Sequence, residues 1–139
     1  MKQLNKIKFT VEGEPKGKAR PRHYGKMVYT PTATKEYEEQ VGWCYKASAK
    51  EFKFSESDNI SISITAYFKI PKSANKSSHA AMVEGSIRPL KKCDADNIAK
   101  IILDGLNGIA YSDDKQIVSL SVEKWYSESP RVEVVLQKI

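Results

Sequence analysis

A chain of 139 residues has the length of one ordinary domain and can bury roughly two-thirds of its unfolded surface around a single core. Its apolar share of 40% and charged share of 29% exclude a disordered chain, and its apolar stretches fall short of the ~20 residues that span a bilayer. The formal charge of +6 favours nucleic acid as a partner without deciding it. Met1-Lys2-Gln3-Leu4-Asn5 is not followed by an apolar signal core, so no export signal is expected. Cys44 and Cys93 are too few for a disulfide framework and lack Cys or His partners at zinc-ligand spacing. The expected setting is the cytosol, with both thiols reduced.

In chain order, Ile7, Phe9 and Val11 alternate with polar residues, which predicts a half-buried strand running into a loop opened by Gly13 and Pro15. That loop carries Lys16, Lys18, Arg20 and Arg22. Thr30-Pro31-Thr32 supplies the cap and first turn of a helix through about Lys50, with Tyr37, Val41, Cys44 and Tyr45 on one face. From Ile60 to Ile70 every even residue is apolar, the clearest period of two in the chain, and Pro71 ends that strand. The stretch to Pro89 is polar and small apart from Ala80 to Val83, where a short helix fits. Ile98, Ile101, Ile102, Gly105 and Leu106 then form the stripe of an amphipathic helix stopped by Asn107-Gly108. Val118, Leu120 and Val122 alternate, as do Val132, Val134 and Leu136, which predicts a closing antiparallel hairpin around Ser127-Glu128-Ser129-Pro130. Trp43 and Trp125, flanked by apolar periodicity, are expected in the core. The order of elements predicts one α+β domain over residues 1–139, a mostly antiparallel or mixed sheet with helices packed on it.

Carboxylates frame the amphipathic helix. Asp94 and Asp96 stand at its start, and Asp113 and Asp114 follow its end. Residues two apart on a helix point about 200° away from each other, so Asp94 and Asp96 converge only if Asp94 lies in the extended entry. A helix of about 12 residues is roughly 18 Å long, so the chain must fold back for Asp114 to approach. Hard cations such as Mg²⁺ take oxygen ligands and keep water, which makes phosphoryl chemistry a natural partner for such a cluster. Helix capping and turn formation explain the same acids without chemistry. An EF-hand loop is excluded, because Ile98 and Ala99 stand where an oxygen ligand and Gly are needed. Lys100 lies four residues from both Asp96 and Asp104, so it belongs either to a surface ion-pair ladder or over a scissile phosphate.

The cations of the early loop have two readings as well. They are either solvated surface, or a set held by two prolines so that Lys18, Arg20 and Arg22 meet phosphates while Tyr24 and Tyr29 stack on bases. His23 has no evident base partner and reads as a phosphate neighbour or plain surface. A second cationic group includes Lys91 and Lys92, just before Asp94.

Three runs then stand together: Lys92-Cys93-Asp94-Ala95-Asp96-Asn97-Ile98-Ala99-Lys100, Leu103-Asp104-Gly105-Leu106-Asn107-Gly108 and Asp113-Asp114-Lys115-Gln116-Ile117. Their order and spacing resemble the RusA family of Holliday junction resolvases. Gly13-Glu14-Pro15-Lys16-Gly17-Lys18-Ala19-Arg20-Pro21-Arg22 is similar to the opening of its phage and prophage members. The resemblance implies a RusA-like fold and a homodimer that nicks four-way or other branched DNA symmetrically with Mg²⁺, or with Mn²⁺ in its place. It implies Asp94, Asp96 and Asp114 as metal-binding catalytic acids and Lys100 as the active-site lysine, and it leaves the role of Asp113 open. Lys16, Lys18, Arg20, Arg22, Lys91 and Lys92 are then the expected DNA contacts. Cys93 departs from the Pro or basic residue often found there, which bears on local backbone geometry but removes no ligand.

Overall fold

A computed structural model describes residues 6–91 and 93–139, so the stretch Met1 to Asn5 and the predicted DNA contact Lys92 lie outside the described residues. Alternation of apolar side chains builds the four-stranded sheet. Its strands are β1 (Lys6–Glu12), β4 (Ile60–Lys69), β5 (Ile117–Ser127) and β6 (Arg131–Lys138), in the spatial order β1-β6-β4-β5. β6 is antiparallel to both β1 and β4, and β5 is parallel to β4. A separate two-stranded ribbon pairs β2 (Arg22–Tyr24) with β3 (Met27–Tyr29). The helices are α1 (Thr32–Ala49), α2 (Lys76–Glu84) and α3 (Ala95–Leu106). The expected α+β domain with a mixed sheet is therefore present.

The closing hairpin is not. β5 and β6 do run in opposite directions, but β4 lies between them. The connection from Ser127 to Arg131 straddles the end of β4, where Ile70 N donates to Ser127 O at 3.3 Å. Alternation identifies a strand and its buried face but not its neighbour. β4, with Ile60, Ile62, Ile64, Ala66 and Phe68 all buried, takes an interior position, where those side chains are covered from both sides.

One face of the sheet carries the core. Ile7, Phe9 and Val11 of β1 and Val132, Val134 and Leu136 of β6 bury there with the β4 set, against Tyr37, Val41 and Tyr45 of α1 and Ile98, Ile101, Ile102 and Leu106 of α3. Each such aliphatic side chain contributes roughly 1.5–3 kcal/mol on burial. α1 ends at Lys50, as its pattern predicts, with a positive φ of 60° there, but its N-cap position is Pro31 and no side chain caps it. α2 is the expected short helix around Ala80 to Val83, started by Asn75, whose Oδ1 accepts from Ser78 N at 2.8 Å.

The two tryptophans are not core residues. Trp43 is 71% exposed on α1, where a turn of apolar neighbours faces the sheet and the indole faces out. Trp125 is half-buried against the Cα of Gly85, with the Arg88 guanidinium 3.4 Å above its ring.

α1 and α3 cross closely enough that a Cβ on Gly105 would sit 2.9 Å from Glu38 O and 2.9 Å from Val41 Cβ. A backbone carbonyl cannot swing aside, so Gly105 is required by space and not by helix propensity. Gly105→Ala should lower stability by about 1–3 kcal/mol in urea denaturation, although alanine is the better helix former by about 1 kcal/mol. An unchanged midpoint would show that the two helices part freely.

Candidate active site

The start of α3 is held by the early basic loop. Lys18 N donates to Asn97 O at 2.9 Å, and a Cβ on Gly17 would sit 2.7 Å from Cys93 Cβ. The loop therefore lies flat against the helix entry, and only glycine permits that approach. Asp94 occupies the N-cap position with extended backbone, φ −69° and ψ 150°, yet its side chain makes no capping hydrogen bond. The capping explanation thus fails for Asp94, whose carboxylate is exposed and free of the helix end. Asp96, in the first turn, is also exposed.

β5 returns alongside α3 in the opposite sense, as Lys124 Nζ bonding Lys91 O at 2.8 Å near the helix entry indicates. Asp114, just before β5, consequently lies toward the later part of α3, near Asp104. Asp96, Lys100, Asp104 and Asp114 line one groove of about 510 Å³, together with Lys18, Arg20 and Leu120. Asp94 lines a neighbouring cleft of about 630 Å³ with Lys16 and Lys91. Asn97, Lys18 and Ala19 border both. Among the described residues, no group of three or more His, Cys, Asp or Glu side chains is close enough to hold a metal ion. Arg22 lies beyond the groove, in β2.

The position of Asp114 depends on a side chain that sequence reasoning missed. Gln116 is buried, and its Oε1 accepts from Ser112 N at 3.0 Å and Asp113 N at 3.2 Å. Its Nε2 donates to Ser55 O at 2.8 Å and Asp58 O at 3.2 Å. The amide is satisfied on both ends and ties the turn before β5 to the loop before β4. Asp113 caps the short 3₁₀ turn Asp114–Gln116 by accepting from Lys115 N at 3.2 Å. A Gln three residues after an Asp is the available sequence signal, a reciprocal cap.

The electrostatics separate the adjacent acids. The bond from Lys115 N, together with a shared hydrogen bond to Asp114, holds the Asp113 carboxyl below its ordinary range. Burial first, then the hydrogen bond and charge of Asp113 and the charge of Asp104, push Asp114 up. Burial, reinforced by Asp114, Asp104 and Asp113, also pushes up the Tyr111 phenol, whose hydroxyl donates to Leu103 O at 2.9 Å. Lys100 forms no ion pair with Asp96 or Asp104. Asp104 instead meets Lys18 at 3.0 Å, and Lys18 also contacts Glu38 of α1. Burial pulls Lys18 down, but the bonds and charges of those two acids outweigh it and the net shift is upward.

The model of the family described as Endodeoxyribonuclease RusA matches residues 12–137. The chain belongs to the RusA endodeoxyribonuclease family. It is also 37% identical over 139 residues to the uncharacterized protein YqaN of Bacillus subtilis (strain 168), with 96% of each chain covered. The RusA match spans the basic loop, α3 and the Asp113-Asp114 turn, so both faces of the acidic groove lie inside it. No helix among the described residues is long and apolar enough to cross a membrane.

A carboxyl with a folded pKa above its unfolded value carries a penalty at neutral pH that disappears as pH falls through the raised value. Asp114→Asn should therefore raise the melting temperature at pH 7 in a chelator. That gain should shrink to nothing once the pH drops below the ordinary carboxylate range. A lower melting temperature at pH 7 would mean that the Asp114 charge is compensated in the fold.

Proposed function

We propose that this RusA-family chain is a divalent-metal-dependent nuclease that resolves four-way DNA junctions by paired symmetric phosphodiester hydrolysis, acting as a homodimer in phage or prophage recombination and repair. The observation that carries the reading is the groove in which Asp96, Asp104 and Asp114 meet Lys100 and Arg20 on a protein of net charge +6. Acids grouped on a cationic surface suit a site for a cation and a phosphate together.

The donor chemistry fits Mg²⁺, with Mn²⁺ as a substitute, since Mg²⁺ is held by one or two carboxylates with water and phosphate oxygens completing its shell. Asp96 and Asp114 in the groove and Asp94 in the adjoining cleft would be its carboxylate donors. Bound there, the cation supplies charge neutralisation at the phosphate and acidifies a water. Lys100, outside the ion pairs of this region, is free to meet a non-bridging phosphate oxygen. Arg20, Arg22, Lys16 and Lys91 neutralise flanking phosphates. The alternative is a non-catalytic DNA-binding protein whose acids only cap and pair. Asp113, which does cap, and Asp104, which does pair, favour it locally.

Incubation of synthetic four-way junctions with the protein and Mg²⁺ or Mn²⁺ separates the two. Paired nicks are expected, and intact junctions with both metals would reject the enzyme. Asp96→Asn should keep junction binding and lose cutting, and Lys100→Met should slow cutting by roughly 10²–10³-fold.

Salt titration tests the phosphate contacts separately. Each neutralised phosphate adds about 0.9 to the slope of log affinity against log salt on duplex DNA, so Arg20→Ala or Arg22→Ala should flatten that slope by about 1. An unchanged slope would remove the loop from the DNA.

A further inference from the structure

The ribbon of β2 and β3 is exposed at every residue, although it carries large apolar side chains: Tyr24 is 79% exposed, Met27 61% and Tyr29 45%. A solitary two-stranded ribbon is marginal in water and normally needs a surface to pack on. Gly25, at φ 62°, opens a two-residue turn, the Gly-first arrangement that matches the twist of paired strands. The register then sorts the side chains. Arg22 faces Tyr29 and Tyr24 faces Met27 on one side, while His23 faces Val28 on the other. One face is therefore two phenol rings, a thioether and a guanidinium.

Residues 20–29 contain Arg20, Arg22 and Lys26, with His23, and no acid. Among the described residues none of these cations forms an ion pair. The charge disfavours a second copy of the same ribbon, which would bring like charges together, and suits a polyanion. The ribbon also continues directly from Arg20 and Pro21, which line the acidic groove.

We propose that this ribbon is a strand-holding arm: its Arg22, Tyr24, Met27 and Tyr29 face stacks on unpaired bases of a DNA strand whose backbone continues into the groove. The proposal rests on the nuclease reading for its substrate and adds a preference for unpaired over paired DNA. Aromatic faces stack on any base, so the arm confers strand selection without sequence preference.

The test is fluorescence anisotropy of the full chain, in chelator, with a labelled single-stranded oligonucleotide and the blunt duplex of the same sequence. Tyr24→Ala and Tyr29→Ala should each weaken single-strand binding roughly 5- to 100-fold, the range for loss of one stacked base, and leave duplex binding within about twofold. Tyr24→Phe should restore binding. Tyr24→Leu, which keeps apolar bulk on the ribbon without a π face, should not. Equal losses on both DNAs, no loss on either, or dissociation of an oligomer with DNA affinity intact would each overturn the arm. Because binding is read without cutting, junctions that stay intact with metal would reject the nuclease and leave the arm standing. An arm that fails here leaves junction cleavage untouched.

Discussion

Burial of the apolar stripe of α3 between the sheet and α1 governs the rest of the molecule. Ile98, Ile101, Ile102 and Leu106 are buried in the core, and Gly105 leaves room for the α1 backbone to approach beside them. Once that face is committed, the 3.6-residue period leaves Asp96, Lys100 and Asp104 on the opposite side. Outward presentation of charge is thus a by-product of packing. Any substitution that separates α1 from α3 turns the charged face along with the buried one.

Polar burial completes what apolar burial begins. Gln116 uses all its bonding capacity on four backbone groups from two separate loops, and breaking such a buried, satisfied contact costs about 1–3 kcal/mol for a group left unpaired. That anchoring allows Asp114 to be held beside acids that repel it. Lys18 balances part of the repulsion from the other side by joining Glu38 of α1 to Asp104 of α3. The groove therefore gathers negative charge without gathering it unopposed.

Local pattern made some of this legible and left the rest hidden. The α3 stripe and the β4 alternation were readable because each depends on neighbours a few residues away, whereas the extended backbone at Asp94 was only a condition for Asp94 and Asp96 to converge. The partner of β5 was not readable, because alternation is identical whether β4 or β6 lies alongside. Trp43 misled for a related reason: apolar neighbours report that a helix has a buried face, not that a given ring is on it. The ion pairs of Lys18 were not readable, because Glu38 and Asp104 stand on two other elements far along the chain. Gln116 was visible only as a strand start, since the carbonyls it binds belong to the loop before β4. The preference for Asp114 over Asp113 rested on the family resemblance, while a physical distinction between them emerged only with the capping bond of Asp113.

The clamp between Lys18 N and Asn97 O has one more consequence. A side chain at position 17 would run into Cys93, so only glycine lets the loop lie this close to α3 before it leads on to the β2–β3 ribbon. Only Ala19, Arg20 and Pro21 lie between the Lys18 bond and the first residue of the ribbon, so the ribbon stays within a short reach of α3. Under the proposed arm, a strand would meet the ribbon and the groove within that reach.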